Sequence, residues 1–392
     1  MTAGLNKRNR IVLWQSLKKA INKTEQVADR VSRRIRRRLY RNTPVTIMPF
    51  IGYGNSHHVR LRGRVLENHT VRAARDEDNA LHNLWNIVRR FNSDELPGVQ
   101  LTVTFQEQEK TITTDEEGFF YVEFDVETAL EGIHHSASFY YRDDRREARA
   151  DGQIILAPDD AQFVVVSDMD DTVIRSNVPN RIKLVANTIF KNARTRLPFA
   201  GVAEFYRALQ QGTQNTFNPI YYVSNSPYNL YDLLQDFFAV RNIPPGPIFL
   251  RDFGFTERYI GAEKNHKTLQ IIRLMELHPG LPFVLIGDSG EHDPDIYAEI
   301  VRQYPGRIAA IYIRDVRPGQ TWKLNEHVRR VTEEIREQGV DMLLIPDTLA
   351  AARHAAENNF VIENCILDIE VAVQADLPAN PLEVFIDDVS SK

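Results

Sequence analysis

Cysteine is nearly missing from this chain: Cys365 is the only one in 392 residues. No intramolecular disulfide can form, so burial and hydrogen bonding must hold the fold, and a reducing compartment is the natural setting. Long apolar runs are missing too. No stretch approaches the roughly 20 residues that span a bilayer. The N-terminus is basic but lacks the uninterrupted apolar core of a secretory signal. These absences argue against a disulfide-built scaffold and against a helical membrane protein, and a cytoplasmic address is expected. What is present is an ordinary globular composition, 43% hydrophobic and 26% charged, on a length that suggests two domains.

The net charge of −5 conceals an asymmetry. Residues 1–41 hold thirteen Lys/Arg against Glu25 and Asp29, so the remainder is strongly acidic. Within that arm Trp14, Leu17, Ile21, Ala28, Val31, Ile35 and Leu39 recur at three- and four-residue steps, broken at Thr24. The spacing predicts a basic amphipathic helix over residues 1–42. Its stripe can pack on the body of the protein, or the helix can lie on an anionic membrane surface as a peripheral contact. No nucleic-acid-binding motif accompanies it, so nucleic acid is not an expected partner.

Residues 43–157 read as a β-rich, sandwich-like domain. Val59, Leu61 and Val65 alternate with Arg60, Arg62 and Arg64, and Val99, Leu101, Val103 and Phe105 alternate with polar residues. Two-residue periodicity marks half-buried strands. Phe119–Phe124 and Ser136–Tyr141 add further strands, Asp115–Gly118 a turn and Asp78–Phe91 an inserted helix, which together suggest a small antiparallel sandwich. The pairs His57–His58 and His134–His135 are poor metal sites, because adjacent strand residues point to opposite faces.

After Ala157-Pro158-Asp159-Asp160 the pattern becomes α/β and continues through residues 158–370. Short apolar strands are expected at Phe163–Ser167, Ile220–Ser224, Ile248–Leu250, Phe283–Gly287, Ile308–Ile313 and Met342–Ile345. Helices such as Asn229–Val240 and Thr268–His278 fall between them. This alternation predicts a Rossmannoid parallel sheet with helices on both faces, whose chemistry gathers beyond the carboxyl ends of the strands.

Those ends carry an ordered set of residues. Ser167-Asp168-Met169-Asp170-Asp171-Thr172 follows the first strand. Three carboxylates in four residues repel one another, and a hard divalent cation such as Mg²⁺ relieves the repulsion. Ser224-Asn225-Ser226 follows the second strand and offers a hydroxyl and backbone N–H groups to an anion. Lys267 opens a helix. Gly287-Asp288-Ser289-Gly290-Glu291-His292-Asp293 closes a later strand, with two acids five residues apart.

DxDxT, a strand-terminal Ser, a Lys and GDxxxxD, in that order, resemble the four-motif signature of haloacid-dehalogenase-like phosphatases. Asp171 stands where many relatives have Gly. A narrower resemblance adds Gly52-Tyr53-Gly54, Gly63-Arg64-Val65-Leu66, His266-Lys267, the run through Pro294, and Ile313-Arg314-Asp315. With these, most of residues 45–365 are similar to the actin-patch-protein family of phosphatidate phosphatases. The resemblance implies Mg²⁺-dependent hydrolysis of phosphatidate to diacylglycerol. It further implies that Asp168 is the nucleophile and forms an aspartyl-phosphate, and that Asp170 is the general acid and base. It places the metal on Asp168, Asp288 and Asp170, supported by Asp293. It assigns the phosphate to Ser224, Asn225 and Lys267, with Thr172 fixing the loop. Two alternatives stay open: a phosphomonoesterase acting on a soluble molecule, and a non-catalytic interaction module. The intervals between motifs leave little room for a large cap, so Arg181–Phe199 is either a small lid or a covering helix. Residues 371–392 are acidic and proline-bearing, and a mobile tail is expected.

If the arm serves a membrane-borne substrate, deleting residues 1–41 should weaken adsorption to anionic vesicles, since each basic residue near such a surface contributes about 1 kcal/mol. Hydrolysis of a small soluble phosphate ester should survive. Vesicle sedimentation at moderate salt beside a soluble assay measures the contrast, and equal loss on both would make the arm a structural helix.

Overall fold

The computed structural model describes residues 43–67, 95–169, 200–251, 266–290, 292–315 and 322–376. The expected arm helix, the Asp78–Phe91 helix, Asp170, Thr172 and the Arg181–Phe199 segment lie outside the described residues.

The N-terminal β-rich region forms one eight-stranded sheet. Its strands are β1 (Val45–Pro49), β2 (Gly52–Gly54), β3 (His58–Glu67), β4 (Gln100–Phe105), β5 (Gln108–Thr113), β6 (Phe119–Asp125), β7 (His134–Arg142) and β8 (Glu147–Leu156). The order is β1-β3-β2-β8-β7-β4-β5, with β6 on the other edge of β3. Pairing is antiparallel as expected, except that β2 and β8 run parallel. Side chains link β5 back to β6: the Gln108 amide donates to the Asp125 carbonyl at 2.9 Å and the Lys110 ammonium to the Glu123 carbonyl at 2.6 Å. The sheet therefore curls around a core built from the alternating residues Val59, Leu61, Leu101, Val103, Phe105, Phe120, Phe124 and Phe139. The expected layout of separate facing sheets is replaced by one sheet folded on itself, because the long strand β3 serves both sides.

The second unit is a six-stranded parallel sheet. Its strands are β9 (Val164–Asp168), β10 (Ile220–Pro227), β11 (Ile248–Arg251), β12 (Phe283–Asp288), β13 (Ile308–Arg314) and β14 (Asp341–Ile345), in the order β11-β10-β9-β12-β13-β14. Alternate residues of each strand serve opposite faces. Val165, Tyr222, Val284, Ile286 and Tyr312 join one core, and Val164, Val166, Tyr221, Val223, Leu285 and Ile311 the other. This double burial is why the strands read as continuous apolar runs. Helices α1 (Val202–Gln211), α2 (Tyr231–Val240), α6 (Thr348–Glu357) and α7 (Cys365–Asp376) cover the first face. Helices α3 (His266–Leu277), α4 (Asp293–Gln303) and α5 (Trp322–Glu337) cover the second. The expected boundary at residue 370 falls inside α7, whose last residue, Asp376, accepts from the Gly201 amide at 2.9 Å. Residues 371–376 are thus part of the folded unit. Among the described residues no helix is long and apolar enough to cross a membrane.

The chain places β10 and β11 on one side of β9, then crosses to lay β12, β13 and β14 on the other. The direction reverses between β9 and β12, and a crevice opens beyond the carboxyl ends of strands at such a switch point.

Gly63 is required where β3 passes between β1 and β6. A Cβ there would lie 2.5 Å from the Met48 carbonyl oxygen and would also run into the Phe120 ring. Gly63→Ala should cost about 1–3 kcal/mol of stability through overpacking, read as a lower urea midpoint. An unchanged midpoint would show that these strands can part without penalty.

Candidate active site

The switch point brings together residues that lie up to 125 positions apart. Asp168 ends β9 and Asp288 ends the neighbouring β12, with Ile286 opposite Ser167 in the parallel register. Asp293 opens α4 and Lys267 sits in the first turn of α3. The Lys267 ammonium is 2.7 Å from a carboxylate oxygen of Asp168 and 2.7 Å from one of Asp293. Its side chain is 1% exposed, and those of Asp168 and Asp293 are 4% and 0% exposed. Buried charge persists only where it is paired, so this lysine is no solvated surface residue.

Each of Asp168, Asp288 and Asp293 offers a carboxylate oxygen, and the three oxygens lie within 4.8 Å of one another. With all three ionised, the three acids and one ammonium leave two negative charges in nearly dry surroundings. Burial, with Asp168 close by, pushes the Asp293 carboxyl well above the usual carboxylate range. An all-oxygen donor set carrying that charge fits a hard divalent cation, which would reverse the pressure on Asp293.

The local sequence explains the arrangement. A Cβ on Gly287 would lie 2.5 Å from an Asp293 carboxylate oxygen and 2.8 Å from the Asp293 Cβ. Only glycine lets α4 close on the end of β12. That same Asp293 oxygen accepts from the Asp288 amide at 3.1 Å, while the other faces Lys267, and an Asp288 oxygen accepts from the Gly290 amide at 2.6 Å. The Tyr297 hydroxyl donates to the Ile286 carbonyl at 3.0 Å, tying α4 to β12. On the other side of the sheet Ser167 and Tyr206 share a 2.7 Å hydroxyl contact that braces the end of β9.

Ser224 lies one residue beyond Val223, which pairs with Asp168. The Met169 amide donates to the Val223 carbonyl at 3.2 Å, joining the two strand ends. The β10–β11 register then slips between Val223 and Pro227. Such an irregularity re-aims the residues within it, here Ser224, Asn225 and Ser226. Ser224 is 1% exposed, and its oxygen accepts from the Ser226 amide at 3.0 Å.

Of the residues expected from the sequence, Asp168, Lys267, Asp288 and Asp293 converge, and Ser224 and Asn225 lie in the last part of β10, next to Val223, which pairs with Asp168. Asp170 and Thr172 lie outside the described residues. The histidine pairs belong elsewhere: His58 contacts Asp125 at 2.7 Å and His57 contacts the Val126 carbonyl at 3.0 Å. Motif spacing carries no sign of the contacts that the β-rich region makes with the segment after β10, where Phe50 stacks on Tyr228 and Arg64 donates to Asn229.

Residues 163–315 match the family model described as the phosphatidate phosphatase APP1 catalytic domain. This segment has the catalytic-domain pattern of that family. The phosphatidate phosphatase APP1 of Saccharomyces cerevisiae is 34% identical over 152 residues, which cover 38% of this chain and 25% of that protein. An uncharacterized protein of Schizosaccharomyces pombe is 33% identical over 154 residues, 39% of this chain and 25% of its own length. The match thus spans about a quarter of the length of these curated relatives. Among solved structures, a carbohydrate acetylesterase from Xanthomonas citri aligns with 74% of this chain and 65% of its own at 9% identity, but the TM-score of 0.27 carries no argument. The APP1 resemblance read from the motifs is borne out over residues 163–315.

His266 precedes Lys267, and its Nε2 lies 3.4 Å from the Phe249 carbonyl. Burial, with Arg62, Arg251 and Arg273 nearby, pulls its pKa down from 6.5 to about 4. Between those values the unfolded chain binds a proton that the folded chain refuses, so stability falls as pH drops through that window. The histidine resonances should include one with a midpoint near 4, lost in His266→Gln, and that variant should lose less stability from pH 6.5 to 4 than the parent. A midpoint near 6.5 would contradict the burial.

Proposed function

We propose that the protein is a Mg²⁺-dependent phosphatase of the haloacid-dehalogenase type that hydrolyses phosphatidate to diacylglycerol. The observation that carries this reading is the buried convergence of Asp168, Lys267, Asp288 and Asp293 at the switch point. The family match over residues 163–315 supports the phosphatidate assignment.

In this reading Asp168 and Asp288 would hold the cation, joined by Asp170, with Asp293 supporting them. The bound ion would supply positive charge against the phosphoryl oxygens. Lys267 holds Asp168 at a fixed angle and adds its own charge. A carboxylate oxygen of Asp168 attacks phosphorus, and the bond from phosphorus to the ester oxygen breaks. Asp170 gives its proton to the departing alkoxide, releasing diacylglycerol and leaving an aspartyl-phosphate. Asp170 then takes a proton from water, whose oxygen attacks phosphorus, and inorganic phosphate leaves with Asp168 restored. Ser224, Asn225 and Lys267 receive the phosphoryl oxygens, where positioning and electrostatics supply most of the catalysis. Thr172 fixes the loop that bears the two acids. The acidic body leaves residues 1–42 as the part best suited to an anionic bilayer.

Asp168→Asn should lower turnover at least about a thousandfold, as removal of a nucleophile does, while the unfolding transition stays cooperative. Phosphate release from phosphatidate vesicles and from a soluble ester, with Mg²⁺ or with chelator, is the measurement. Turnover retained in folded Asp168→Asn would overturn the assignment, and turnover insensitive to chelation would remove the cation from it.

A further inference from the structure

We propose that the β-rich region is a working part of the phosphate site, with Arg64 and Phe50 as positioning residues for the Ser224–Ser226 bulge of β10. The inference rests on the reading that this bulge receives the phosphoryl group. The β10–β11 register shifts across it, between Val223 and Pro227. Its downstream end runs into a short 3₁₀ turn, Tyr228–Leu230, and then α2. That end is gripped across the interface.

The grip has an apolar and a polar part. Between β1 and β2 the strand breaks, and Phe50 leaves the β-rich region to join the core of the catalytic unit. Its ring stacks on Tyr228 at 4.9 Å, with 13° between planes, and meets Tyr231 at 4.2 Å. The Ile51 amide donates to the Tyr231 hydroxyl at 2.8 Å. Phe119 of β6 contacts Tyr228 from another side at 5.2 Å. Stacking of this kind gives adhesion with little directional control. Arg64 supplies direction. It is 7% exposed, its Nε donates to the Glu117 carbonyl at 2.9 Å, and one terminal nitrogen donates to Glu95 at 2.8 Å. The guanidinium also lies 4.6 Å from the Phe119 ring centroid. With the plane fixed on its own side, the other terminal nitrogen donates to the Asn229 side-chain oxygen at 2.7 Å. A rigid planar fork holds a target in place as a flexible ammonium cannot.

Simple packing of two domains would not need this directed contact. Asn229 is exposed yet anchored, and it lies five residues past Ser224. A displacement of about 1 Å in a positioning group can cost up to about a hundredfold, and a partial release of the bulge should cost about tenfold.

The test uses the full chain with Mg²⁺ and tungstate, a phosphate mimic whose binding is read by calorimetry without turnover. Asn229→Ala and Arg64→Lys should each weaken tungstate binding about tenfold, and the double variant should be no weaker than the weaker single. Val103→Ala, in the core of the β-rich region away from the interface, should lower the unfolding temperature and leave tungstate affinity unchanged. Ser224→Ala separates the two ideas. If it weakens binding while Asn229→Ala and Arg64→Lys do not, the clamp is overturned and the phosphate reading stands. If Ser224→Ala has no effect, the phosphate reading falls and takes the clamp with it. An equal loss in Val103→Ala would overturn the clamp as well, since general loosening would then suffice.

Discussion

A lysine ammonium held in dry protein between two aspartates is the constraint from which the rest of this structure follows. The Lys267 charge is tolerable only because Asp168 and Asp293 both reach it at 2.7 Å. Removing one partner of a buried pair typically costs about 3–5 kcal/mol, because the remaining charge keeps its desolvation penalty. The three residues come from a strand end and two helix starts. For them to meet, α3 and α4 must begin at the same end of the sheet as β9 finishes. The strand order reverses there, which makes the room. Gly287 permits the last approach, since any side chain would push Asp293 off the strand. Fold and site are thus tied by one electrostatic requirement.

The parallel-sheet unit was largely legible from the sequence, for a physical reason. Strands buried on both faces must be apolar throughout, so Val164–Val166 and Phe283–Ile286 stood out from the polar residues that end them. The acids at those ends are local in sequence and visible as motifs. Lys267 was harder. One lysine at a helix start looks like any other, and only its burial distinguishes it. The shape of the β-rich region was harder still. Alternation identified the strands singly, but not that β3 would share its edges among β1, β2 and β6, nor that β2 and β8 would run parallel. Such pairings are set by contacts between residues far apart in the chain, as in His134 opposite Ile155 or Gly52 opposite Ile154.

The interface between the units was illegible for a related reason. Phe50 and Tyr53 look like ordinary strand residues, yet Phe50 joins the core on one face of the parallel sheet and Tyr53 the core on the other. The β1–β2 segment therefore enters both apolar layers of a unit whose first strand lies more than a hundred residues later. Tyr53 packs edge-on against Tyr221 and Phe249, and the Arg62 guanidinium lies 5.2 Å from the Tyr228 ring centroid. The matched segment begins at residue 163, so Phe50, Tyr53 and Arg62 lie outside it while the rings they cover lie within it.

That mismatch separates two meanings of a domain. The family match covers the residues that meet at the switch point, which lie along β9, β10, α3, β12 and α4. The packing follows whatever covers Tyr221, Tyr228, Tyr231 and Phe249, and residues 50–64 contribute to that cover. Rings of this size each bury on the order of 150–250 Å², and a segment cut at residue 163 would expose much of that surface beside the end of β10 that carries Ser224. The catalytic pattern is therefore narrower than the cooperative unit that supports it. The β-rich region shares the hydrophobic core of the catalytic sheet and cannot be treated as an appendage joined by a linker.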